Sequence, residues 1–102
     1  MSYKLFIDDE RYPVDDSFVI VRSSKQAIDH VKDHGFPSFI SFDHDLGGID
    51  TSIVFIRFLV DKLIDNELSI PDDFDFYVHS QNPVGKKNIE NWMVSILKEF
   101  RG

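Results

Sequence analysis

Three short segments carry carboxylates, imidazoles and hydroxyls at the points where apolar runs stop. Asp8 and Asp9 follow Leu5-Phe6-Ile7, and Asp43, His44 and Asp45 follow Phe39-Ile40-Ser41-Phe42. His79, Ser80, Gln81 and Asn82 follow the run from Phe74 to Val78. If these runs are parallel strands of one open sheet, their carboxyl ends face a common crevice near the point where strand order reverses. Carboxylates gathered there repel one another, and a hard dication with few protein ligands, Mg²⁺ or Mn²⁺, is the usual resolution. Asp8, Asp9, Asp43 and Asp45 are therefore candidate metal ligands. Each of them taken alone reads more readily as a turn or cap residue, and only the convergence of three strand ends favours the metal. His44 and His79 are placed to move a proton near neutral pH, since an unperturbed imidazole titrates at about 6.5. With Asp43 they form the candidate catalytic set, against the plainer reading of hydrogen-bonded structural histidines.

The segment from His79 to Asn88 combines a hydroxyl, amides, a glycine and two cations at the start of a helix, which suits a phosphate. Ser80, Asn82, Gly85, Lys86 and Lys87 are its candidate ligands. Lysines in a first helical turn oppose the helix dipole, a mismatch that a bound anion would relieve. Arg11 either pairs with the neighbouring acids or meets a substrate phosphate, and pairing is the simpler expectation. His30 and His34 sit on a helix and receive no role. The chain has no GxGxxG, P-loop, HExxH or GxSxG motif.

The elements that must position these residues alternate along the chain. Residues 8–17 read as an acidic loop between the first strand and a second, Phe18 to Val21. Ser23 or Ser24 caps a helix through Ala27, Ile28 and Val31 that stops at Gly35. Asp50 or Thr51 caps a second, broadly apolar helix ending near Ile64, after a turn that Gly47-Gly48 permits. Asn82 and Pro83 open a third helix through Ile89, Met93 and Ile96. This order predicts an α/β fold, an open and mainly parallel sheet of about four strands with helices on both faces. The ten-residue loop is short for a parallel crossover, so the second strand is expected at an edge.

Composition bounds the rest. The chain of 102 residues has room for one domain, residues 1–102, and 42% hydrophobic residues supply a core. Eighteen acids against 11 Lys and Arg give a net charge of −7, which opposes an extended clamp on duplex nucleic acid. The absence of Cys excludes disulfides, zinc–thiolate sites and thiol catalysis, and fits a reducing compartment, with cytoplasm the default expectation. The first residues lack a signal-peptide apolar region and no run approaches about 18 apolar residues, so no membrane association is expected.

Taken in order, LFIDDERYP, ISFDHDLGG and VHSQNPVGKKNI resemble the cyclic-phosphate processing receiver domains and, more widely, the receivers of response regulators. The resemblance implies a truncated receiver-like (flavodoxin-like) three-layer sandwich. It also implies that Asp8, Asp9 and Asp43 match the acids that bind Mg²⁺ in receivers, with Asp43 at the phosphoacceptor position and Ser80 at the hydroxyl position. Three departures stand out. No helix fits between the first two strands, no fifth strand follows to carry the receiver lysine, and Thr51-Ser52 stand where relatives of the DHDLG motif have Gly. Lys86 or Lys87 is the available substitute for the lysine.

Three functions follow as expectations. The first is Mg²⁺-dependent hydrolysis or processing of a cyclic phosphate, either a cyclic nucleotide or a 2′,3′-cyclic RNA end. The second is a single-domain phosphoacceptor receiver that signals to a protein partner through Asp43. The third is a non-catalytic acidic protein that binds nucleotides or inhibits a basic partner.

Overall fold

The computed structural model describes residues 2–101, so the two ends of the expected domain, residues 1 and 102, lie outside it. Four strands and three helices follow one another as β1 (Lys4–Ile7), β2 (Phe18–Val21), α1 (Ser24–His34), β3 (Phe39–Phe42), α2 (Ser52–Ile64), β4 (Asp75–Val78) and α3 (Pro83–Ile96). A turn of π-helix, Leu97–Arg101, extends α3. The sheet order is β2-β1-β3-β4 and every pair is parallel. The open parallel α/β architecture is the expected one, and β2 is indeed an edge strand. Among the described residues, no helix is long and apolar enough to cross a membrane.

Local chemistry accounts for the helix ends. The Ser23 side chain accepts from the N–H of Gln26 at 3.1 Å, and Gly35 ends α1 at φ 84° with its N–H on the Val31 carbonyl. Asn82 caps α3 through the N–H of Gly85 at 3.0 Å, with Pro83 in the first turn. Thr51 occupies the cap position of α2 but makes no side-chain cap bond. The Asp50 carboxylate instead turns to the start of α1, taking the Ser24 N–H at 2.9 Å and the Ser24 hydroxyl at 2.6 Å. Asp50 thus ties the 43–50 loop to α1.

The placement of the helices differs from expectation. Strand residues in the main core, Leu5, Ile7, Val21, Ile40, Phe42 and Val78, all share one side of the pleat. Residues of α1 (Ala27, Val31), α2 (Phe55, Ile56, Leu59, Leu63) and α3 (Ile89, Met93, Ile96) join that same cluster. The opposite side presents Phe18, Phe39, Ile20 and Tyr77, the last two exposed, with only Phe6 and Ser41 buried among them. The fold is therefore two layers, helices on one face, rather than three. Handedness explains it. Right-handed crossovers from β2 to β3 and from β3 to β4 place α1 and α2 on one face, while the β1-to-β2 connection runs the other way along the sheet and must pass over the opposite face. That connection is the loop 8–17, which has no helix to cover the sheet. Burying the four core side chains of α2 contributes on the order of 10 kcal/mol before the entropy of ordering the chain is set against it.

Candidate functional site

The sheet register builds the site. Ile7 pairs with Phe42, and Phe42 with Val78, so Asp8, Asp43 and His79 each stand one residue beyond the last paired row. Backbone bonds from Asp43 N to Ile7 O and from His79 N to Phe42 O, both 2.9 Å, carry the ladder through that extra row. Because side chains alternate along strands, all three project to the side of the sheet that the helices leave open. One ligand atom from each lies within 4.8 Å of the others. The crevice is also the switch point, since the chain leaves β1 towards β2 on one side and reaches β3 on the other.

Asp8 is fully buried, yet its carboxylate is well supplied with donors. Its Oδ1 accepts the N–H groups of Glu10 and Arg11, both at 2.9 Å. Its Oδ2 lies 3.0 Å from both Arg11 Nε and His79 Nε2. Burial works against ionisation, but the donors from Arg11, Glu10 and His79 and the nearby guanidinium outweigh it and hold the carboxyl below its usual range. Asp43 is the contrasting case. Burial, and then the negative charge of Asp8, push its carboxyl above the usual range, only partly offset by the His44 N–H at 2.9 Å and by the charges of His79 and Arg11. Two carboxylates in one site are thus driven in opposite directions, as happens when like charges share a crevice.

Two further residues hold this pair in place. Arg11 reaches across the crevice, its Nη2 3.7 Å from Asp43 Oδ2, so the expected pairing with neighbouring acids is what the fold contains. His79 is held on three sides: Nδ1 is 2.8 Å from the Ser41 hydroxyl, Nε2 meets Asp8, and the ring stacks on Phe6 at 4.7 Å and 3°. With Nε2–H donated to the ionised Asp8, Nδ1 either accepts from Ser41 or donates to it. Arg22 braces the arrangement from β2's end, donating to the carbonyls of Asp8 and Arg11.

The other expected residues distribute unevenly. Asp9, Asp43, Asp45, Ser80 and Asn82, together with Arg11, line a cleft of about 420 Å³ beside the buried cluster. Asp9 and Asp45 are exposed there and stand outside the tight metal-competent group, in which His79 takes the place expected for them. Bonds from the Asn82 amide at 3.2 Å and from His44 at 3.1 Å hold the Asp45 carboxyl below its usual range. The Ser80 hydroxyl accepts the Asn82 N–H. Gly85 corrects the expectation of a close approach to a ligand. A Cβ there would lie 2.4 Å from His44 Cγ, so the glycine makes room for His44 instead. Lys86 and Lys87 are not among the residues lining the cleft. The helical period of about 3.6 residues carries them round α3 from the Gly85 contact, and the cation at the cleft is Arg11.

Sequence reasoning overlooked Ser41, the one polar residue inside the otherwise apolar β3, and the bracing by Arg22. A hydroxyl in a buried strand position is the signal that pointed to Ser41, since such a group needs a partner.

Comparison with curated proteins and with solved structures returned no significant match. A family model described as the cyclic-phosphate processing receiver domain matches residues 3–95, which takes in all four strands and the whole acidic cleft. The chain belongs to the cyclic-phosphate processing receiver domain family.

Proposed function

We propose that this domain binds a small cyclic or terminal phosphate at the ends of β1, β3 and β4 and processes it with the help of Mg²⁺ or Mn²⁺. The observation that carries the reading is the meeting of Asp8, Asp43 and His79 within 4.8 Å at the switch-point crevice. The donor set fits a hard cation. Asp43 Oδ2 accepts no hydrogen bond among the described residues, and its raised affinity for protons marks a carboxylate that gains from a nearby positive charge. Asp43 would hold the ion together with Asp8, which would exchange one of its Oδ2 hydrogen bonds for it, and the carboxylates of Asp9 and Asp45 line the adjoining cleft. When bound, the cation supplies Lewis-acid polarisation of a phosphoryl oxygen.

The chain's own groups supply the rest. Arg11, 41% exposed at its side chain, turns part of its guanidinium to the cleft, where its planar fork suits a phosphate. Ser80 and Asn82 offer a hydroxyl and an amide from the same wall. His79, with Nδ1 on Ser41 and Nε2 on Asp8, fixes the Asp8 carboxylate, while His44, turned to Asp45 and packed beneath Gly85, fixes the loop. Asp43 Oδ2, which meets only the Arg11 guanidinium at 3.7 Å among the described residues, also favours a second reading, phosphoryl acceptance by Asp43, which intact-mass analysis after incubation with a small phosphodonor tests directly.

Purified protein is to be incubated with a panel of cyclic phosphates in Mg²⁺, Mn²⁺ or chelator, with products followed by phosphorus NMR. Cation-dependent turnover that falls to background in Asp43→Ala is the expected result. No turnover with either cation, together with unchanged Mn²⁺ binding in Asp43→Ala, overturns the proposal.

A further inference from the structure

The sheet face that the helices leave open is aromatic. Phe18 packs edge to face against both Phe6 and Phe39, with centroids 5.9 and 6.0 Å apart, and Tyr77 on β4, 58% exposed, stands in the register row of Phe6 and Ser41. Tyr12, Pro13 and Val14 of the 8–17 loop line the same space, and a cavity of about 370 Å³ lies between loop and rings. Its polar lining is confined to Ser41, His79 and Arg11 apart from the Tyr hydroxyls, and Arg11 also lines the acidic cleft. The aromatic hollow and the phosphate cleft therefore share a wall.

We infer that this hollow is the base subsite of a nucleotide ligand, with a nucleobase lying on the rings and its attached phosphate reaching past Arg11 into the cleft. The inference rests on the proposed phosphate chemistry for its second half only. A volume near the lower end of ordinary ligand pockets takes one flat heterocycle. The exposed rings of Tyr12 and Tyr77, with the half-buried Phe18 and Phe39 beside them, give a base a stacking surface that tolerates any base identity. The few polar groups sit at the end nearest the cleft, where the sugar and phosphate of such a ligand would pass. A second copy of the chain is a poorer occupant, because each copy brings a net charge of −7 to the contact.

The test compares three probes by calorimetry and by NMR of the aromatic side chains: 2′,3′-cyclic AMP, glycerol 1,2-cyclic phosphate and adenosine. Stacking of one base predicts roughly tenfold or greater preference for the nucleotide over the glycerol compound. Adenosine alone is expected to shift the Phe39 and Tyr77 resonances. Tyr77 is exposed, so Tyr77→Ala keeps the fold. That variant is expected to erase most of the preference and leave the glycerol compound unaffected, and Tyr77→Trp to restore it. Equal affinities for the two cyclic phosphates with no adenosine shifts overturn the base subsite, even if both compounds are turned over and the phosphate chemistry stands. Adenosine binding at the rings without processing of any cyclic phosphate supports the subsite while the proposed chemistry fails. A dimer in solution that buries Tyr77 also overturns it.

Discussion

Replacing Gly85 by alanine separates two forces of opposite sign. In a helix, alanine is ordinarily the better residue by about 0.5–1 kcal/mol. Here the added Cβ would stand 2.4 Å from His44 Cγ, 2.7 Å from its Nδ1 and 2.8 Å from its Cβ. The Cβ of His44 is one bond from the backbone, so rotating the ring cannot clear the contact, and either the 43–50 loop or the first turn of α3 must move. Overpacking of this kind costs about 1–3 kcal/mol. The clash wins, and Gly85→Ala is expected to destabilise the fold by about 1–2 kcal/mol. A domain of this size loses roughly 4–8 °C in Tm per kcal/mol. The same shift disturbs the Asn82 cap and, through it, the Asn82–Asp45 bond on the cleft wall. The measurement is urea and thermal unfolding of four proteins: the native chain, Gly85→Ala, His44→Gly and the double variant. Without the His44 side chain the alanine should turn mildly stabilising, a coupling of about 2 kcal/mol across the cycle. A Gly85→Ala protein as stable as the native chain, or one equally destabilised in both backgrounds, would refute the reasoning.

The two buried carboxylates predict opposite responses to neutralisation. Asp43 is held above its ordinary range, so its contribution to stability is present below the unfolded pKa and lost as pH rises through the folded one. Asp43→Asn should therefore raise Tm at pH 7, with the gain disappearing at acid pH, as read by thermal unfolding across pH. Asp8 is held below its range, so its stabilisation is present above the unfolded carboxyl value of about 3.9 and lost as pH falls through the folded one. Asp8→Asn should cost about 2–3 kcal/mol at pH 7, since it weakens charge-assisted bonds to Arg11 and His79, and denaturant curves at pH 7 measure it. Asp50→Ala removes both bonds to Ser24 and should cost about 1 kcal/mol in urea unfolding, with amide exchange rising in α1's first turn.

Much of the fold was legible because it depends on local rules. Val and Ile in Phe18–Val21, the Ser23 and Asn82 caps, Gly35 after α1 and the alternation of strands with helices each act within a few residues. The face on which the helices lie was not legible in the same way. It follows from strand order and crossover handedness, which become visible only once β2 is found beyond β1 rather than beside β3. Asp50 shows the same limit on a smaller scale. Its type suits a cap at the start of α2, but the loop carries it to Ser24, and a carboxylate serves whichever N–H groups it meets.

For the site, the amino-acid sequence by itself determined that acids and a histidine follow the apolar runs of β1, β3 and β4, because hydrophobic runs and their polar ends are properties of neighbouring residues. Tertiary structure alone decided which of them meet. Asp8 and His79 are 71 positions apart and touch because parallel register puts them in one row. Side-chain alternation then turns Asp8 into the crevice and leaves Asp9 exposed at the cleft. Arg11, not Lys86 or Lys87, became the cation there, because the loop folds back on Asp8 through the backbone N–H groups of Glu10 and Arg11 and the Arg11 Nε. Charge and hydrophobicity are written residue by residue, but the partner of a charge is set by distances that only the folded chain defines.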